Sequence, residues 1–297
     1  MSKSEASNQL RSLAGVPKTL CIPLWARAQA AALTPHLTDF DDPQARVWCE
    51  EIGVDPAWIR KDAMILKSCI ARARRLDDIT KKFLTEATDQ PVTVLSIGAG
   101  LCSRMDRLGL TPRIQAGDPD LQWIDLDLPE VISLRSLLRP AAGGHSYISK
   151  SLTDRQWPDS LPVLRGRKVL VLIEGVLVYI PAGEVRTFFR NSAEKIAAAG
   201  AIELRFAFDV LDGPAFRGSR LSSSIRQAGA KLRWAPWDLQ GFLERAHAGL
   251  NLRMRHDLVA DLRGLLPALH SLYRLTRRIP AYSVAEIKLI SNLATHP

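Results

Sequence analysis

The sequence predicts an α/β fold, a mostly parallel sheet covered by helices on both faces, and three observations carry that expectation. Beyond Pro91, short apolar runs closed by Gly, Asp or Glu recur: VTVLSIGAG at 92–100, LQWIDLD at 121–127, KVLVLIEG at 168–175 and AIELRFAFD at 201–209. Between the last two lies a helical pattern, Ala182 to Ala199, followed by Gly200 where helices commonly end. Strand and helix alternating in this way build parallel sheets. The first 90 residues differ, because their apolar positions recur at steps of three and four, the mark of amphipathic helices.

In chain order, Asp42-Pro43 opens a helix to about Ile52, with Asp42 as N-cap and Pro43 at the first helical position, where its missing N–H is no loss. A longer helix is predicted from about Ala57 to Ala87, striped by Ile65, Leu66, Cys69, Ile70, Ala73, Leu76, Ile79 and Phe83. After the four runs, NLRMRH at 251–256 and SVAEIKLI at 283–290 are expected to pair as an antiparallel edge. The chain thus divides into a helical N-terminal cap, 1–90, and a sheet domain, 91–297. An insertion at about 210–250, holding Trp234, Pro236 and Trp237, is the candidate lid, with an ordinary long connection as the alternative.

Composition narrows the class. The chain has 297 residues, 46% of them apolar, enough for a sizeable core. No run of 18 apolar residues occurs, which excludes a membrane-spanning helix, and the N-terminus MSKSEASNQLRSLAG lacks a hydrophobic signal core, so the expected compartment is the cytoplasm. Cys21, Cys49, Cys69 and Cys102 offer no CxxC pair and are read as free thiols, with no metal site expected. The net charge of +9 is concentrated between Gly213 and Pro280, where 12 basic residues face four acidic ones. No RNP-type, zinc-finger or helix-turn-helix pattern accompanies that charge, so nucleic acid is not the expected partner; a solvated basic face or a wall over an anionic ligand are the alternatives.

In open α/β sheets the ligand sits beyond the carboxyl ends of the strands, so the residues closing each run are the candidates. Gly98-Ala99-Gly100 permits a sharp turn and close approach of a ligand to the backbone. A dinucleotide fingerprint would need a third glycine, and that position is Ser103. Asp125 and Asp127 end the second run on one face, where a carboxylate can accept from both hydroxyls of a ribose. A nucleoside without a pyrophosphate satisfies this set, which favours S-adenosylmethionine over a dinucleotide.

Glu174 follows five apolar residues, so it must be paired, solvated or ligand-binding. Arg72 lies on the apolar stripe of the long helix, with Cys69 three residues before it and Leu76 four after. A guanidinium facing a core needs an anion, either an internal carboxylate or the α-carboxylate of an amino-acid cofactor.

These segments resemble a family. VLSIGAGLCSRMDRL is similar to the glycine motif of the leucine carboxyl methyltransferase superfamily, N-L-G-A-G-x-D-T-R-x-x-R-L. WIDLDLPEVISLR resembles its Y-x-E-V-D-x-P-E-V motif, and EGVLVYIP its E-G-x-L-x-Y-L motif. TLCIPLWARA is similar to the T-L-x-I-P-L-x-x-R-A element of its bacterial polyketide branch, the tetracenomycin carboxyl O-methyltransferase-like one.

The resemblance implies a class I methyltransferase with a Rossmann-like sheet, using S-adenosylmethionine. It places the cofactor-carboxylate arginine on Arg72, the glycine turn on Gly98 and Gly100, the ribose acid on Asp127 and the acid after the fourth family strand on Glu174. Two positions depart: the aspartate after the glycines is Cys102, and the adenine-side Asp-Leu pair is Ser151-Leu152.

The expected reaction is O-methylation of a small, anionic molecule in secondary metabolism, foremost methyl esterification of a carboxylate, with a hydroxyl acceptor also open. Arg27 is expected to anchor the acceptor and Tyr179 to line its pocket. His145 and His256 are the nearest histidines for any base, and each reads more simply as a surface or core residue. A macromolecule methyltransferase acting on a protein C-terminus or tRNA, and a non-catalytic binding module, are the alternatives.

Overall fold

The structure is a computed structural model that describes residues 3–13, 17–60, 62–87, 89–212, 226–227, 229–262 and 282–290. Its centre is a seven-stranded sheet in the order β3-β2-β1-β4-β5-β7-β6. Strands β1 (Val92–Ile97), β2 (Leu121–Asp127), β3 (His145–Ser149), β4 (Lys168–Ile173) and β5 (Glu203–Leu211) run parallel, while β7 (Tyr282–Leu289) pairs antiparallel with β5 and with β6 (Leu250–Asp257). The sheet is mostly parallel with an antiparallel edge, as the sequence predicts.

The order of apolar residues explains why β1 and β4 lie centrally. Every residue of β1 is buried, and its side chains alternate between two cores. On one face Leu95 and Ile97, with Val169, Val171 and Ile173 of β4, pack against Val185, Phe188 and Phe189 of the helix Ala182–Ala198. On the other, Val92, Val94, Leu170 and Leu172 meet Leu76, Ile79 and Phe83 of the long helix Ala63–Thr85.

Among the described residues, five α-helices precede β1: α1 (Lys3–Ser12), α2 (Cys21–Ala28), α3 (Ala30–Leu33), α4 (Pro43–Ile52) and α5 (Ala63–Thr85). Asp42 caps α4 as predicted, its side chain accepting from Ala45 N–H at 3.0 Å. Helix α5 begins six residues later than expected: Asp55 accepts from Ala57 N–H, and the Pro56 carbonyl closes turns at Ile59 and Arg60, so that signal belongs to a separate turn. A third core unites α2, α4 and α5 with Leu101, Val131 and Leu134, tying the N-terminal helices to the sheet region.

Strand β3 goes unpredicted. HSYIS is short and lies on the parallel edge, where only His145 and Ile148 are buried, so it lacks the continuous apolar run of its neighbours. In the 210–250 insertion, residues 213–225 and 228 lie outside those described. The rest packs: Trp234 is buried against Phe208 and Phe242, and Arg233 and Trp234 donate their N–H groups to the Val178 carbonyl. Trp237 is half-exposed. Most of the basic segment's arginines, including Arg217, Arg220, Arg263, Arg274, Arg277 and Arg278, lie outside the described residues. All four cysteines are free thiols, and no described helix is long and apolar enough to cross a membrane.

Candidate active site

Because β3, β2, β1, β4 and β5 are parallel and adjacent, their carboxyl ends form one row, and the predicted residues fall along it in spatial order. Ser151 and Leu152 follow β3, Asp127 ends β2, the glycine turn follows β1, and Glu174 follows β4. The chain reverses its direction of winding between β1 and β4, the position where such sheets leave a crevice.

The glycine turn needs its glycines for different reasons. Gly98 has φ +63°, and a Cβ there would lie 2.2 Å from Val176 Cγ2, so the turn closes against the loop after β4. Gly100 has φ +47°, and a Cβ there would meet only Leu20 Cβ, at 3.8 Å. Its N–H donates to Asp127 Oδ2 at 2.7 Å, and Leu128 N–H donates to Oδ1 at 2.7 Å. Each carboxylate oxygen of Asp127 keeps a lone pair for another donor. Burial pushes this carboxyl up to about 6, against the two backbone donors.

Asp125, two residues earlier, has a different role. It is fully buried and accepts from Trp123 Nε1 at 3.0 Å, Arg135 Nη2 at 2.7 Å and His145 Nε2 at 2.8 Å. Burial alone would raise its carboxyl, but Arg135 and His145 outweigh that and hold it at about 2. His145 is therefore a core histidine, and His256 pairs with Glu286 on the far side of the sheet order.

Arg72 and Glu174 meet. Arg72 Nε donates to Glu174 Oε1 at 3.2 Å, and Nη1 donates to Asp209 Oδ2 at 3.1 Å and to the Tyr282 hydroxyl at 3.0 Å. Of the two readings of this arginine, internal carboxylates account for Nε and Nη1; the Nη2 contact is Cys69 Sγ, at 4.0 Å. A Cβ on Gly175 would sit 2.9 Å from both Nη atoms, so only glycine lets the guanidinium close over the turn. Glu174 Oε2 accepts from Arg104 Nη2 at 2.7 Å. Burial would raise Glu174, yet Arg72 and Arg104 hold it at about 2, so it is a carboxylate at neutral pH.

Beyond Glu174 the charges continue in alternation. Arg104 Nε donates to Asp77 at 2.7 Å, Arg107 bridges Asp77 and Asp42, and Asp42 accepts from Arg27 Nε at 2.9 Å. Asp42, Asp77, Arg104, Arg107, Asp209 and Tyr282 are site-supporting residues that sequence reasoning missed. The signal for two of them existed: Arg104 and Arg107 stand three apart in the glycine motif, a spacing that puts both on one helical face.

Arg27 is 2% exposed, with Nε on Asp42 and Nη2 on the Leu101 carbonyl at 2.6 Å, so it braces the glycine turn. Tyr179 lies in a short turn after β4; burial pushes its phenol up to about 12, and Thr19 is a hydrogen-bond partner. Ser151 Oγ bonds Thr153 at 2.8 Å in the turn after β3, while Leu152 is buried in the core. Cys102, at the family's aspartate position, gives its carbonyl to Arg135 at 2.9 Å. Arg107 beside it pairs with Asp42 and Asp77.

The donors and acceptors fit S-adenosylmethionine: a strand-end carboxylate with lone pairs for a ribose, a glycine turn, and a guanidinium beside a buried carboxylate for an amino-acid end. The family "Leucine carboxyl methyltransferase" matches residues 24–193, from α2 to the helix after β4. The chain is 31% identical over 224 residues, 75% of its length and 76% of the relative's, to the tetracenomycin polyketide synthesis O-methyltransferase TcmP of Streptomyces glaucescens. It is 31% identical over 276 residues, 88% of each chain, to the S-adenosyl-L-methionine-dependent methyltransferase dpfgK of Gibberella zeae. Among solved structures, an O-methyltransferase family protein from Burkholderia thailandensis aligns over 91% of this chain and 72% of that one, at 15% identity and a TM-score of 0.48. The chain belongs to the leucine carboxyl methyltransferase family.

Proposed function

We propose that the chain is an S-adenosylmethionine-dependent O-methyltransferase that esterifies a carboxylate of a small anionic molecule of the polyketide kind. Its place in the family and its likeness to TcmP support methyl transfer to a small molecule. The observation that carries the reading is the row of Asp127, the glycine turn and the Arg72–Glu174 pair along adjacent strand ends.

In this reading Asp127 accepts from the ribose hydroxyls, Ser151 and Leu152 border the adenine, and the Gly98–Gly100 turn lets the backbone approach the nucleoside. Arg72 holds the methionine carboxylate and Glu174 faces the ammonium. When bound, S-adenosylmethionine supplies a methyl group on a sulfonium, open to in-line displacement.

The protein's own groups favour a carboxylate as acceptor. A carboxylate, with an ordinary pKa of about 4, is already ionised at pH 7 and needs no base, whereas a phenol at about 10 does. Tyr179, at about 12, stays protonated, and His145 is committed to Asp125. Among the described residues, Asp127 is the carboxylate raised toward neutrality, and in this reading its oxygens face the ribose. Tyr179 is proposed to line the acceptor pocket as a neutral donor and to exclude water.

The test uses methyl-labelled S-adenosylmethionine with a panel of aromatic acids and the matching phenols. The label is expected in a product that mild alkali hydrolyses, as esters do. Label stable to alkali would mean an ether and a hydroxyl acceptor.

A further inference from the structure

We infer that Asp42, in the N-terminal segment, is a positioning residue that sets the conformation of the glycine turn and so completes the cofactor half-site from outside the sheet. This deepens the reading above and rests on it.

Three consecutive carbonyls of the turn are held by guanidinium groups. Arg135 Nη1 donates to the Gly100 and Cys102 carbonyls, each at 2.9 Å, and Arg27 Nη2 donates to the Leu101 carbonyl at 2.6 Å. Each arginine is in turn held by a fully buried aspartate, Arg135 by Asp125 and Arg27 by Asp42. The first pair belongs to β2 and the helix Pro129–Leu138 and lies within the sheet region. The second comes from α2 and the start of α4, Arg27 lying 74 residues before Leu101 and Asp42 61 residues before Ser103.

Asp42 also grips the far end of the turn. Ser103 Oγ lies 2.7 and 2.6 Å from its two oxygens, and Arg107 Nη1 donates to Oδ2 at 2.7 Å. With Ala45 N–H on Oδ1, its lone pairs are engaged by four different residues. The carboxylate therefore fixes Leu101 through Arg27 and Ser103 directly, while Asp127 fixes Gly100 N–H. A turn gripped at successive peptides presents its backbone to a nucleoside in one geometry, and losing one grip lets it relax.

Asp42→Asn keeps the shape and removes the charge. The KM for S-adenosylmethionine is expected to rise about tenfold or more, with a smaller effect on kcat, and the Kd for S-adenosylhomocysteine by calorimetry to rise in parallel. Arg27→Lys, which keeps the charge beside Asp42 but loses the fork that reaches Leu101, is expected to weaken binding about fivefold and serves if Asp42→Asn fails to fold. Asp41→Asn, which removes an exposed pair with Arg46, is the control for charge alone and should leave both constants unchanged. Folded Arg27→Lys or Asp42→Asn chains that bind S-adenosylhomocysteine like the wild type overturn the inference. A wild-type chain that binds none overturns the functional reading beneath it as well.

Discussion

Replacing Arg72 by Met separates a cofactor ligand from a structural ion pair. Methionine keeps much of the arginine stem and removes the guanidinium, so the perturbation falls on the three contacts to Glu174, Asp209 and Tyr282. Removing one member of a buried pair costs about 3–5 kcal/mol when the survivor is stranded. Neither survivor is stranded here: Glu174 keeps Arg104 at 2.7 Å, and Asp209 keeps Gly175 N–H at 2.6 Å and the Tyr282 hydroxyl at 2.9 Å. The destabilisation should therefore sit near the lower end, about 3 kcal/mol, or about 6 °C in Tm at about 2 °C per kcal/mol for a chain of this size. Cofactor binding should suffer separately. A charge-assisted pair with a carboxylate contributes about 2–3 kcal/mol, which is about 30–150-fold in Kd. The assay is calorimetry with S-adenosylhomocysteine well below the melting transition, with circular dichroism to follow Tm. A variant that melts earlier as stated yet binds within about threefold of the wild type would refute the cofactor role and leave Arg72 a structural residue.

Further outcomes follow from the same geometry. Gly98→Ala should destabilise the chain by about 3 kcal/mol in urea unfolding, from positive-φ strain and the clash with Val176, and adding Val176→Ala should restore the clash part only. S-adenosylhomocysteine affinity should be flat above pH 7 and fall as pH drops through about 6, where Asp127 takes a proton, and Asp127→Asn should abolish that dependence. The sign reverses for stability. The folded pKa of Asp127 lies above its ordinary value, so its contribution is fully present below that value and lost as pH rises through about 6. Asp125 and Glu174 are held at about 2, below their ordinary values, so they stabilise the fold above the ordinary carboxylate range. That stability should be lost as pH falls toward about 2, seen as a Tm that declines steeply in acid.

The fold was legible where one residue's neighbours in sequence are its neighbours in space. The buried runs of β1 and β4, the Asp42-Pro43 helix start and the stripe of α5 are all of this kind, because strand and helix periods report burial directly. Strand β3 was not, because an edge strand with two buried residues has no such period. At the site, Arg72 and Glu174 were legible as charges that need partners, because a charge inside an apolar run demands one, whereas Asp127 was legible only as an acid closing its run. The partners were not. Asp209 lies 137 residues from Arg72 and Tyr282 lies 210 away, brought in by the antiparallel return of β7, and no local pattern encodes that pairing. Arg27 shows the complementary difficulty. Its motif marks the residue, but only its distances to Asp42 and Leu101 show that it faces the glycine turn.

The most direct measurement is a crystal structure of the chain grown with S-adenosylhomocysteine. Ribose hydroxyls are expected on the Asp127 carboxylate, the nucleoside over the Gly98–Gly100 turn and the homocysteine carboxylate on Arg72. A nucleoside bound elsewhere on the sheet, or an Arg72 still closed on Glu174 and Asp209 with the carboxylate held by other groups, would contradict that placement.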